Sequence, residues 1–158
     1  MLQRLLPLAV ALALLAAGCG DDDDDTTTTP TADYQAEVQA ILGSVGTAGT
    51  ELGAAAGTSE STEDLGRALE AYQSSVEEAA DRLSALTGPE GAAEGQDELE
   101  QVLREMASGV QPAIEAASAG DRDEFLRVFT PYQRQLDGEF RERMTAAGTK
   151  IDQALAGE

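Results

Sequence analysis

The side chains with which this chain of 158 residues could do chemistry are one cysteine, one lysine, three tyrosines and 30 carboxylates. Histidine is absent. That removes Ser–His and Cys–His nucleophilic pairs, the usual zinc sets, and the inward-facing Glu-x-x-His pairs from which helical bundles build di-iron centres. A Ser–Lys dyad would have to use Lys150, and no Ser-x-x-Lys spacing leads into it. No glycine-rich phosphate loop lies between a strand and a helix. Carboxylates remain: Glu77, Glu78 and Asp81 share one side of a helical stretch, and Glu94, Asp97, Glu98 and Glu100 crowd the start of the next. Acids in a first helical turn suit the helix dipole, and at this density no pair stands out as an acid–base couple. The expectation is a protein that is not an enzyme, with no catalytic or metal-ligating residues and no cofactor.

Cys19 ends the run Leu15-Ala16-Ala17-Gly18-Cys19. Residues 1–18 open with Met-Leu-Gln-Arg and continue from Leu5 to Ala17 almost without a polar atom. A short basic start, an apolar run of about 13 residues and small residues before a break mark a secretory signal. A spanning helix needs about 20 apolar residues, and here five aspartates follow at residues 21–25. The stretch resembles the lipobox of bacterial lipoproteins, in which the cysteine takes a diacylglyceryl group before cleavage and becomes the first mature residue. Such motifs favour Leu three residues before the cysteine; this chain has Ala16 there and Leu15 one place further back. The resemblance covers residues 1–19. It implies lipidation at Cys19, a membrane partner reached through that lipid, and a place on the extracytoplasmic face of a bacterial cell membrane. An ordinary cleaved signal with an incidental thiol is the plainer alternative. A lone exposed thiol in an oxidising compartment is a pairing liability, whereas a thioether removes it, and two acyl chains suffice for stable anchoring.

The formal charge is −20 and becomes one unit more negative once Arg4 leaves with the signal. That disfavours nucleic acid, whose binding needs Lys and Arg against phosphates, and direct docking on anionic lipid. Residues 20–32, Gly, five Asp, four Thr, Pro, Thr and Ala, offer nothing to a core. Adjacent like charges hold such a run extended, at most about 45 Å for 13 residues. With Cys19 it forms a tether, residues 19–32, between a signal peptide, residues 1–18, and one domain, residues 33–158. Its threonines are also candidates for O-linked sugar.

From Asp33 onward the apolar period is helical. A first stretch aligns Tyr34, Val38, Ile41, Val45, Ala48, Leu52 and Ala55, and is punctuated by Gly43, Gly46, Gly49 and Gly53. Each interior glycine costs about 0.5–1 kcal/mol relative to Ala. Either those glycines form a close helix contact or they are compositional drift in an Ala/Gly-rich chain. Ser61 with Asp64 resembles a capping box, and a second stretch aligns Leu65, Leu69, Tyr72, Val76, Ala79, Leu83 and Leu86. Thr87-Gly88-Pro89 is expected to end it, with Gly88 as a left-handed cap. A third stretch carries Leu99, Leu103, Met106, Val110, Ala113 and Ala117, bent about one turn before Pro112 and closed by Gly120. Asp121 with Glu124 starts the fourth: Phe125, Phe129, Tyr132, Leu136, Phe140, Met144, Ala147, Ile151 and Leu155. Holding all three Phe, it is expected to supply most of the core. Pro131 either kinks it or begins a new helix after Thr130. Acid-before-base pairs four apart support the helices: Glu63–Arg67, Glu78–Arg82, Glu100–Arg104, Asp123–Arg127, Asp137–Arg141 and Glu139–Arg143.

Four seams joined by short turns imply an all-α, antiparallel up-down four-helix bundle. Tyr34, Tyr72 and Tyr132 lie on seams, where tyrosine packs with its hydroxyl on a partner or lines a cleft between helices. The mature part has a generic likeness to small helical-bundle lipoproteins of bacteria. The functional expectation is a lipid-anchored module that binds a protein at the cell surface. The alternative is a carrier or sensor holding a small apolar or cationic ligand between helices, for which a cavity lined by Tyr72, Met106 and Tyr132 would be the sign.

Overall fold

A computed structural model describes residues 30–157 apart from Glu60; the expected signal peptide, Cys19 and the expected tether as far as Thr29 lie outside the described residues. Six α-helices make four rods: α1 (Pro30–Thr58), α2 (Thr62–Ala85), α3 (Ala93–Gly109) followed by α4 (Gln111–Ser118), and α5 (Arg122–Gln135) followed by α6 (Arg141–Ala156). A five-residue π turn, Leu136–Phe140, joins the last two. α1 packs chiefly against α2, α2 against α3 and α4, α3 against α6, and α4 against α5. The fold is an antiparallel all-α bundle. The start of α2 meets the end of α4 at Gly66 and Ala117, and the start of α3 meets α6 at Gly95 and Ile151.

Local chemistry explains most boundaries. α1 takes in Pro30, Thr31 and Ala32, which the sequence reading gave to the tether; a proline's missing N–H costs nothing at a first helical position. Ser61 Oγ accepts from the Asp64 N–H at 3.1 Å and donates to that residue's carboxylate at 2.7 Å. Asp121 Oδ1 accepts from the Glu124 N–H at 3.0 Å. Gly120, at φ 70°, closes α4 in the left-handed region that favours glycine.

The end of α2 departs from expectation. Its cap is Leu86 in an extended conformation, and the left-handed glycine of the following turn is Gly91, not Gly88. Gly88 is needed for space instead: a Cβ there would stand 2.9 Å from the Tyr34 ring and 3.1 Å from Gln96 Oε1.

The third rod breaks at Val110, two residues before Pro112. Proline has no N–H to give the Ser108 carbonyl, and Val110 N–H turns to that oxygen instead. Two neighbouring carbonyls find partners on other rods. Tyr132 donates its hydroxyl proton to Met106 O at 2.8 Å, and Gln73 Nε2 donates to Ala107 O at 2.9 Å. The fourth rod does not restart at Pro131. The helix continues through it to Gln135, with the ring exposed, and then widens into the π turn.

The largest fully buried side chains are Ile41, Leu69, Val76, Leu83, Leu99, Val102, Leu103 and Val110. These large side chains belong to the first three rods, contrary to the count of Phe; the fourth reaches full burial with the small Ala147. The aromatics form a row toward one edge: Phe125 stacks on Phe129 at 5.0 Å, Phe129 tilts against Tyr132 at 6.2 Å, and Tyr132 meets Phe140 edge-on at 6.4 Å. The glycines of α1 make no close helix contact, since a Cβ at Gly43, Gly46, Gly49, Gly53 or Gly57 would meet nothing within 4 Å. The tight crossing is elsewhere. A Cβ at Gly95 would lie 2.8 Å from both Ala147 O and Ile151 Cγ1.

Candidate functional site

Cys19, the residue assigned a lipid above, lies outside the described residues. Within them, polar side chains gather at two buried nodes, one surface groove and a set of ion pairs between rods.

The first node is Gln96. It sits on the α3 seam three residues before Leu99, where an apolar side chain is expected, and it is buried. Its amide donates to Leu83 O at 2.8 Å and Leu86 O at 3.0 Å, satisfying two carbonyls at the end of α2. Its Oε1 accepts the Tyr34 hydroxyl proton at 2.9 Å. One side chain thus ties α1, α2 and α3 together at the end where the chain enters the bundle.

The second node joins Tyr72 and Tyr132. Both are buried, and the Tyr132 proton is committed to Met106 O. Burial raises both phenols above their ordinary range, and the two hydroxyls interact. A phenol held this way stays protonated and serves as a fixed donor, not as an acid or base. Tyr72, Met106 and Tyr132 fill the space between their rods: they are 4%, 3% and 4% exposed.

A polar groove of about 290 Å³ runs between α1 and α2. Ser44, Thr47, Ala48 and Glu51 line one side, and Ser75, Glu78 and Arg82 the other. A smaller one, about 120 Å³, lies beside Gly88, Pro89 and Gln96.

Of the carboxylates singled out in the sequence, Asp81, Glu94 and Glu98 are partnered across rods. Lys150, the one lysine of the chain, bridges Glu94 and Glu98; its hydrogen bond holds the Glu94 carboxyl below the usual range. Arg104 joins Glu100 on its own helix to Asp81 on α2. Arg143 binds Glu105 on α3 and, with help from Gln101, keeps that carboxyl low. Of the six pairs expected within helices, Glu63–Arg67 and Glu100–Arg104 form. Arg82 turns to Glu37 on α1, Arg127 to Glu124, and Arg143 to Glu105. Arginine is long enough to choose: for Arg82 and Arg143 the partner on another rod links two helices, while Arg127 stays on its own helix. Among the described residues no cluster of His, Cys, Asp or Glu could hold a metal ion, and no helix is long and apolar enough to cross a membrane. Leu126, half-exposed on α5, is the large apolar side chain left open to solvent among them.

No family model matches the chain, and neither a curated protein nor a solved structure is significantly similar to it.

Proposed function

We propose that this protein is a lipid-anchored, extracytoplasmic helical-bundle module that binds a protein partner at the bacterial cell surface. The observation that carries the anchoring is the run Leu15-Ala16-Ala17-Gly18-Cys19 at the end of an apolar stretch, with the one cysteine of the chain at its last position. The acidic and Thr-rich residues after it fit a spacer that keeps a strongly negative domain clear of anionic headgroups.

Binding of a protein, as opposed to carriage of a small molecule, is supported by the filled core. The space a carried apolar ligand would occupy between Tyr72, Met106 and Tyr132 is taken by those side chains, and Tyr132 spends its donor on the backbone. The test has two arms. Labelling of growing cells with radioactive palmitate should mark the parent and not Cys19→Ser, which should also leave the membrane fraction. Crosslinking in cells followed by mass spectrometry should recover one specific protein with the parent. A parent that incorporates no label refutes the anchor. A co-purifying small molecule with no crosslinked protein reverses the choice of ligand.

A further inference from the structure

We infer that α1 is two segments of unequal hold, and that its second part, Gly43–Thr58, is a strap that opens from α2 while the rest of the bundle stays folded. The first part is clamped. Tyr34 is bound to Gln96, Glu37 to Arg82, and Ile41 is fully buried.

Beyond Leu42 the hold weakens in four independent ways. First, Gly43, Gly46, Gly49, Gly53 and Gly57 each lower helix propensity, and none regains it through close packing, because nothing lies within 4 Å of where a Cβ would be. Second, among the described residues the side-chain hydrogen bonds of this segment return to α1 itself: Ser44 to Ile41 O, Thr47 to Gly43 O, Thr50 to Gly46 O and Thr58 to Ala54 O. Third, Glu51 is its one charged residue, and among the described residues the segment makes no ion pair. Fourth, its core contribution is three side chains, Val45, Ala48 and Leu52, at 8%, 6% and 7% exposure, and the polar groove beside Ser44, Ala48 and Glu51 already brings solvent along the seam.

Segments with few buried contacts and solvated backbone open at free energies below that of global unfolding. Opening here would uncover the apolar surface of α2 that Val45, Ala48 and Leu52 now cover. Where the chain is anchored and what it binds do not enter this inference.

Hydrogen exchange read by mass spectrometry on the purified protein tests it. After correction for intrinsic rates, amides of residues 43–58 should exchange at least about tenfold faster than those of α3. In Gly46→Ala/Gly49→Ala/Gly53→Ala each substitution should slow that segment by about two- to fivefold, on the order of tenfold or more together, with α3 unchanged. In Tyr34→Phe, exchange should rise around residues 34–41 and leave 43–58 as it was. Equal protection of α1 and α3 in the parent, slowing of all segments alike by the alanines, or joint release of both parts of α1 by Tyr34→Phe would each overturn the strap.

Discussion

The Tyr34 hydroxyl and the Gln96 carbonyl oxygen lie 2.9 Å apart, bonded across 62 residues of chain, and the same Gln96 closes the end of α2 through its amide. A buried group with three partners is costly to remove. Gln96→Leu keeps the volume but orphans the Tyr34 hydroxyl and the Leu86 carbonyl, and takes from the Leu83 carbonyl one of its two donors, the other being the Leu86 N–H. Urea unfolding should show a loss of about 2 kcal/mol or more. Tyr34→Phe, which leaves the glutamine its other two bonds, should cost about 1 kcal/mol. Equal effects of the two would mean that Gln96 does not serve α2.

Glycines on two helices should respond to alanine with opposite signs. At Gly95 the added Cβ meets the backbone oxygen of Ala147 at 2.8 Å, so α3 and α6 must separate. Gly95→Ala should lose about 1–3 kcal/mol, as overpacking does. At Gly49 nothing is in the way, and the same substitution should gain about 0.5–1 kcal/mol. Thermal or urea unfolding of the two variants decides the matter.

Acid should weaken the pairs that join α3 to α6. The carboxyls of Glu94 and Glu105 are held below the usual range by Lys150 and Arg143. A carboxyl lowered in the folded state contributes stability above its unfolded value, about 4.3 for Glu, and loses it as the pH falls through the folded value. The stability difference between the parent and Glu105→Gln should therefore be constant above about pH 5 and shrink below it. With no His in the chain, the side chains should leave the parent's stability nearly flat between about pH 6 and 8. A difference that grows with acid would contradict the pairing of Glu105 with Arg143.

Removing one residue from the π turn should be tolerated. From Tyr132 the seam advances by four to Leu136, by four to Phe140 and by four again to Met144. Deletion of Gly138 turns the middle step into three and restores the alternation of an ordinary helix. That variant should keep its circular dichroism and cooperative unfolding, whereas deletion of Gln101 in α3 should abolish the cooperative transition by rotating Leu103 and Met106 off the seam. Unfolding of both would show that the wide turn is required.

The same run of fours shows what was legible. The helices, their seams and the caps at Ser61 and Asp121 follow from spacing and side-chain chemistry within one turn, and these can be read along the chain. The widened turn was visible as arithmetic, yet a helical seam tolerates a four for a three, so nothing forced the reading. Gln96 left a signal as a polar residue in a seam position. Its role depended on where α2 ends, which is a tertiary fact. The choice of Arg82 for Glu37 over Glu78 is likewise tertiary, since both partners lie within an arginine's reach. Gly88 misled because a glycine before a proline has two uses, a left-handed turn or an empty space for a ring, and only the position of Tyr34 distinguishes them. For the candidate site, Cys19 was read from residues that the structure does not describe, and packing has nothing to add to it.

The clamps at Tyr34 and Glu37 stand at the end of α1 that receives the chain. Any tension arriving from residues before Pro30 passes through them before it reaches Gly43. The bundle can be tugged by its leading end without loosening the part of α1 that is least firmly seated.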